Sequence, residues 1–152
     1  MLRDSLFKYY YFKLKFLVIK QKFNRNPLDN PIKDLPFKCT IGELINFVST
    51  KLVVVDVEVE YLHDKINWNK FFEKKSRREK NKLDDFHMRL VVNASLEYPI
   101  ILKSDSVGNV IGILDGYHRL KKAYLLKKKT IKSYIVPLKD LNQLKLQNDE
   151  KI

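Results

Sequence analysis

Short apolar runs separated by turn residues dominate the C-terminal half of the chain. Three of these runs have the length and composition of buried strands: 100–102, 110–114 and 130–136. Residues 117–127 instead repeat their apolar positions at helical spacing. The stretch from Ser104 to Asn109 and the pair Asp115-Gly116 are rich in turn-forming residues. This half is therefore predicted to fold as strand, turn, strand, turn, helix and strand.

The sequence pattern in the middle of the chain predicts two more helices and one more strand. Thr40 and Glu43 match a capping box, which predicts a helix over 41–48. Residues 51–62, KLVVVDVEVEYL, alternate valines with acidic residues, which is typical of a strand with one face in water. Residues 83–96 place apolar side chains at helical spacing, so we expect a helix there.

Prolines divide the chain into three parts. Pro27, Pro31 and Pro36 lie in a predicted loop over residues 26–38, which is the best internal boundary. The predicted parts are a basic aromatic N-terminal segment with this loop, one α/β domain, and a polar C-terminal tail: 1–38, 39–141 and 142–152.

The composition gives the chain a large positive net charge. The chain has 152 residues, with 30 lysines and arginines against 18 acidic residues, and a formal net charge of +12. The hydrophobic fraction of 45% can build a core and excludes a disordered chain, and the length suits one domain. A basic excess of this size attracts polyanions, namely nucleic acids, nucleotides or anionic membranes.

The N-terminal segment has no export signal in its sequence. Lys8, Lys13 and Lys15 interrupt its apolar stretch, which is also too short for a membrane-spanning helix. Cys39 is the single cysteine, which excludes an intrachain disulfide framework and a cysteine-rich zinc site. We therefore expect a cytoplasmic protein, with a membrane contact of the basic N-terminus as a minor alternative.

The turn before the C-terminal helix carries the candidate chemistry. Asp115-Gly116 forces a sharp exit from a buried strand, and the next residues open a helix. The first backbone N–H groups of a helix lie at its positive end and bind anions. The candidate phosphate-binding residues are Gly116, Tyr117, His118, Arg119 and Lys122.

Three side chains of this turn are candidate catalytic groups. The Arg119 guanidinium can grip two phosphate oxygens, and His118 can donate a hydrogen bond or shuttle a proton. Asp115 can bind a divalent metal or act as a base. Glu58, on the wet face of the predicted strand over 51–62, is a second candidate metal ligand, with a solvated acidic face as the simpler interpretation.

Two lysine-rich stretches have simpler alternatives to ligand binding. The run over 65–82 contains candidate nucleic-acid-binding residues: Lys74, Lys75, Arg77 and Arg78. A solvated charged helix face explains this run equally well. Lys127 to Lys129, at the end of the predicted helix, favour the helix dipole without any ligand.

The C-terminal half resembles a known superfamily. The segments that carry the resemblance are YPIIL (98–102), GILDGYHRL (112–120), KKAYLL (121–126) and TIKSYIV (130–136). Over residues 83–141 they are similar to the C-terminal half of the ParB/sulfiredoxin-like superfamily, whose pattern is strand, strand, D-G-x-H-R, helix, strand. The resemblance implies contacts from Gly116, His118 and Arg119 to nucleotide or DNA phosphates.

Members of this superfamily differ in chemistry. They include CTP-binding chromosome-partitioning proteins, ATP-using sulfiredoxins, a free-serine kinase and ParB-like nucleases. Sulfiredoxins carry a catalytic cysteine directly before the histidine, where this chain has Tyr117, which argues against that chemistry. Residues 137–152 are all that follows the last predicted strand, so we do not expect the downstream helix-turn-helix domain of the partitioning proteins.

The expected fold is α/β, of ParB/sulfiredoxin-like type, with a small mixed sheet and flanking helices. The leading hypothesis is a phosphate-binding ParB-like domain that acts on nucleic acid, with metal-dependent nuclease activity as its candidate chemistry. The alternatives are a nucleotide-dependent small-molecule kinase and a non-enzymatic protein that binds DNA or a protein partner. The candidate cofactors are a divalent metal such as Mg²⁺ and a nucleotide, ATP or CTP.

Overall fold

The computed structural model describes residues 28, 31–32, 35–66, 68 and 88–150. The elements in chain order are α1 (Ile41–Lys51), β1 (Val55–Glu58), α2 (Val59–Asp64), β2 (Ile100–Ser104), β3 (Val110–Asp115), α3 (Tyr117–Leu125), β4 (Thr130–Pro137) and α4 (Leu138–Asp149). Residues 88–93 are also helical, so the helix predicted over 83–96 is confirmed over these residues and ends before residue 94.

The sheet mixes antiparallel and parallel pairing. Its strand order is β1-β4-β2-β3. Strands β2 and β3 form an antiparallel hairpin in which Leu102 lies opposite Ile113, and β2 runs parallel to β4 with Leu102 beside Ile135. Parallel neighbours need a long connection, and here it runs from β2 through β3 and α3 to β4. The predicted α/β class, a small mixed sheet with flanking helices, is confirmed.

The hairpin turn between β2 and β3 is organised by Asp105. Its carboxylate accepts hydrogen bonds from the N–H of Asn109 at 2.8 Å and of Val107 at 3.0 Å. The Asn109 bond is the main reason that the pKa of Asp105 lies below its ordinary value. Gly108 completes the turn at a φ of +94, so the turn predicted over 104–109 is confirmed.

Contacts group the chain into two compact units. The first contains the described parts of 57–98 together with 117–131. The second contains the described parts of 22–56 together with 99–116 and 132–150. Each unit buries its own apolar residues.

The second unit holds the larger apolar cluster. Leu44 and Val48 of α1 and Val136 of β4 are fully buried in it. Leu141 and Leu144 of α4 join the same cluster, three residues apart on one face of the helix. This spacing explains why residues 142–149, predicted as part of a polar tail, are helical.

In the first unit, α2 packs against α3. Val59 and Leu62 of α2 are buried, as are Leu120 and Ala123 of α3. A smaller cluster forms where Val91 and Val92, in the helical residues 88–93, meet Leu125 at the end of α3. Apolar residues three apart on α2 and α3 therefore contribute to the packing of the described part of this unit.

The strand predicted over 51–62 is confirmed only over Val55–Glu58. Lys51 belongs to α1, residues 52–54 are not in a strand, and residues 59–62 belong to α2. Strand β1 is mostly exposed, and the chain turns from it directly into α2. Val59 and Leu62 are buried while Glu60 and Tyr61 are exposed, so the burial period here is helical. The N–H of Val59 donates to the Lys129 carbonyl at 2.9 Å, and this long-range bond accompanies the change from strand to helix.

The helix predicted over 41–48 is confirmed and extends to Lys51. Its capping box is complete. The Thr40 hydroxyl accepts the Glu43 N–H at 3.2 Å, and the Glu43 carboxylate accepts the Thr40 N–H at 2.9 Å. Across the part of the chain that the structure describes, every helix is too short or too polar to cross a membrane.

Thr40→Ala is expected to lower the free energy of unfolding by about 1 kcal/mol, because an N–H at the start of α1 loses its acceptor. Urea unfolding followed by circular dichroism measures the change as a lower midpoint at an unchanged slope. Thr50→Ala is the matched control, since Thr50 is exposed within the same helix and alanine is the better helix former. Equal losses in the two variants would contradict a role for the capping box.

Candidate functional site

Gly116 shapes the turn that ends β3 and opens α3. Its φ is +111, a region that residues with a side chain rarely adopt. A Cβ atom here would lie 2.4 Å from Cγ2 of Ile100 and 2.7 Å from Cβ of Ile100, well inside contact distance. Conformation and space therefore both require glycine at this position.

The other residues of the predicted site flank this glycine. Asp115 is the last residue of β3 and pairs with Ile101 of β2. Tyr117, His118 and Arg119 form the first turn of α3 and are each half-buried. That turn contains no acidic residue.

The Arg119 side chain is held by a backbone carbonyl. Its Nη1 donates to the carbonyl oxygen of Tyr98 at 3.1 Å. A guanidinium carries its five donors in one plane, so this bond orients the whole group. The orientation of the Arg119 guanidinium is therefore already set before it contacts a phosphate.

The Lys122 ammonium has two protein partners. It donates to the carbonyl oxygens of Val92 at 2.9 Å and Ala94 at 2.7 Å, at the end of the helical residues 88–93. Carbonyl groups at a helix C-terminus have no partner within the helix, and the ammonium satisfies two of them. Burial lowers the pKa of Lys122. Phosphate binding by Lys122 stays a prediction, while these contacts define a structural role.

Lys121 belongs to a cluster that sequence reasoning missed. We call it the Lys121 cluster; its members are Lys121, His63, Trp68 and Tyr124. The Lys121 Nζ lies 3.2 Å from Nε2 of His63 and 4.7 Å from the centroid of the Trp68 ring. The His63 ring stacks on Tyr124 with centroids 3.5 Å apart and planes 5° apart.

The chemistry of the Lys121 cluster fixes the tautomer of its imidazole. An ammonium group only donates hydrogen bonds, so Nε2 of His63 must present a lone pair to Lys121. The proton of a neutral His63 then lies on Nδ1. His63 and Lys121 are 58 positions apart, and no local pattern connects two residues at that separation.

Glu58 is the second candidate metal ligand. Glu58 is exposed at the end of β1. Among the described residues, no group of three or more histidine, cysteine, aspartate or glutamate side chains could hold a metal ion. The candidate nucleic-acid residues lie outside the described residues: Lys74, Lys75, Arg77 and Arg78.

Comparison with known proteins adds no relative: no family model, no curated protein and no solved structure matches this chain. Its function is therefore inferred from its own residues and their geometry.

Gly116→Ala is expected to lower the free energy of unfolding by about 2–6 kcal/mol, because backbone strain and the overlap with Ile100 add together. Gly108→Ala is the matched control. Gly108 also has a positive φ, but no atom lies within 4 Å of a Cβ added there. The control should lose only the strain contribution, about 1–3 kcal/mol. Equal losses on urea unfolding would show that the space beside Ile100 imposes no constraint.

Lys122→Met is expected to lower the free energy of unfolding by about 1–3 kcal/mol, because two carbonyls lose their donor while the apolar stem is kept. Lys132→Met, at an exposed position of β4, should change it by less than about 0.5 kcal/mol. Thermal and urea unfolding of both variants measure the difference. A Lys122 variant as stable as the control would contradict the structural role of this ammonium.

Proposed function

We propose that this protein is a phosphate-binding domain of the ParB/sulfiredoxin-like type that acts on nucleic acid, as a metal-dependent nuclease. The observation that carries the proposal is the turn at Gly116, because α3 begins at the next residue and has His118 and Arg119 in its first turn. That first turn contains no acidic residue. A helix start of this kind favours anions. The Arg119 guanidinium beside it can bind two oxygens of one phosphate.

The order of the elements supports the same proposal. Strands β2 and β3, the Asp115-Gly116 turn, helix α3 and strand β4 follow one another as in the superfamily that the sequence resembles. The net charge of +12 favours a polyanionic substrate over a small neutral one.

In the proposed reaction, Arg119 and the N–H groups at the start of α3 bind the oxygens of a backbone phosphate. His118 stabilises the developing charge or gives a proton to the leaving oxygen. Asp115 would ligate Mg²⁺ or orient the attacking water. Mg²⁺ is commonly held by one or two carboxylates together with substrate phosphates, so a single aspartate fits this metal. When bound, the ion would neutralise charge on the phosphate.

Arg119→Ala is expected to weaken binding of short duplex DNA at least about tenfold, because a charge-assisted hydrogen bond contributes about 1.5–3 kcal/mol. Fluorescence anisotropy at matched salt measures this change. Lys139→Ala, at an exposed position of α4, removes the same charge and should stay within about twofold of the parent protein. Equal affinities of the two variants would contradict the proposed site.

Cleavage is tested separately from binding. The parent protein should nick plasmid DNA with Mg²⁺ and not with EDTA, and Asp115→Asn should bind DNA but lose this activity. DNA binding that depends on Arg119 with no product under any divalent metal would favour the non-enzymatic alternative. ATP consumption that starts only when a small hydroxyl compound is added would favour the kinase alternative.

A further inference from the structure

The opposite end of α3 borders a cavity with charges of both signs. The cavity has a volume of about 690 Å³ and lies within the first unit. Its charged lining residues are Lys127, Lys128, Lys129, Glu58 and Glu60. The ring of Tyr124 and the hydroxyl-bearing Thr130 also line it. The nine residues of α3 rise about 13 Å, so this cavity is distinct from the turn that carries Arg119.

The lysine wall of the cavity is built by the end of α3. The N–H of Lys128 donates to the Ala123 carbonyl at 2.9 Å, and the N–H of Lys127 donates to the Tyr124 carbonyl at 3.0 Å. This pair of bonds is the Schellman arrangement, whose left-handed position is usually glycine. Here Lys127 takes that position at a φ of +56. A charged side chain therefore occupies a position where the backbone favours glycine.

The two walls of the cavity are joined through the backbone. The N–H of Val59 donates to the carbonyl of Lys129 at 2.9 Å. Val59 lies between Glu58 and Glu60 in the chain, so this bond holds the acidic segment beside the lysine segment. The cavity is thus bordered by two tethered segments of opposite charge.

The acidic side chains of the cavity do not pair with Lys128 or Lys129. In the described part of the chain, no ion pair within 4.0 Å joins Glu58 or Glu60 to Lys128 or Lys129. Side chains of opposite charge that face the same cavity at a longer distance can each bind a different part of one ligand. Charges of both signs along one cavity therefore suit a molecule with an anionic end and a hydrogen-bond-donating end.

Compensation of the helix dipole does not account for Lys128 and Lys129. The C-terminus of a helix is equivalent to roughly half a negative charge, and its effect falls off within the last turn. Two of the final carbonyls of α3 already accept backbone N–H groups, from Lys127 and Lys128. Lys128 and Lys129 therefore add positive charge beyond what this end of the helix requires.

We propose that this cavity binds a small phosphomonoester whose scaffold carries hydroxyl groups, namely a sugar phosphate or a nucleoside monophosphate. The ammonium groups of Lys128 and Lys129 bind the phosphate, and the carboxylates of Glu58 and Glu60 accept hydrogen bonds from hydroxyls. The cavity volume lies in the range of small-molecule sites. The site does not require Arg119 and is independent of the function proposed above.

Isothermal titration calorimetry on the full chain tests the proposal with four probes: ribose 5-phosphate, AMP, inorganic phosphate and adenosine. At least one of the two phosphomonoesters should bind saturably, at least about tenfold more tightly than inorganic phosphate or adenosine. Preference for AMP or for ribose 5-phosphate identifies the scaffold. Lack of saturable binding up to about 10 mM, or equal binding of inorganic phosphate, would overturn the proposal.

Variants assign the binding to this cavity. Lys128→Ala with Lys129→Ala should weaken phosphomonoester binding at least about tenfold. The charge-matched pair Lys132→Ala with Lys139→Ala, at exposed positions, should stay within about twofold. Glu60→Gln should weaken the phosphomonoester more than inorganic phosphate. Equal effects of the two lysine pairs would refute the assignment.

Lys127→Gly distinguishes an effect on stability from an effect on binding, because we expect the thermal midpoint to rise while the affinity for the phosphomonoester falls. Glycine relieves the left-handed strain, so the thermal midpoint should rise by about 2–4 °C. The same change removes a cation from the cavity, so affinity should fall. Arg119→Ala should leave this binding unchanged. A loss of phosphomonoester binding in Arg119→Ala would place the ligand at the start of α3 and overturn this proposal, while leaving the proposed function standing.

Discussion

The close approach of Gly116 to Ile100 is the constraint on which the end of β3 depends. The backbone leaves β3 at a φ of +111, and the space that a side chain would need is already occupied by an isoleucine. Because α3 begins at the next residue, this one position decides where the first turn of the helix, with His118 and Arg119, starts. The same turn begins the connection that returns the chain to β4, parallel to β2.

The lysines on and after α3 differ in what their ammonium groups contact. Lys122 donates to two carbonyls, and Lys121 lies against His63 and two aromatic rings. A partly buried ammonium needs such acceptors, since losing water without them is costly. Lys128 and Lys129 remain exposed and line a cavity. A count of charges along the helix therefore overstates the field at its start and misses the cavity at its end.

Local chemistry made several elements predictable. The capping box of Thr40 starts α1, the carboxylate of Asp105 closes the β2–β3 turn, and Gly116 ends β3. In each case the group that shapes the backbone lies within a few residues of the backbone that it shapes. The same holds for the glycine turn of the candidate site, whose residues are consecutive in the chain. The leucines of α4 also repeat at helical spacing, but the overall polarity of that stretch concealed the helix.

The sequence by itself determined the α/β class, the strand and helix order of the C-terminal half, and the position of the glycine turn, because each depends on neighbours in the chain. Only the tertiary structure decided that the valine run ends in α2, because the bond from Val59 reaches the carbonyl of Lys129. It also decided which ring faces Lys121 and which carbonyls hold Lys122. Contacts between distant residues depend on how helices pack. The spacing of apolar residues along the chain does not identify which distant residue a side chain will contact.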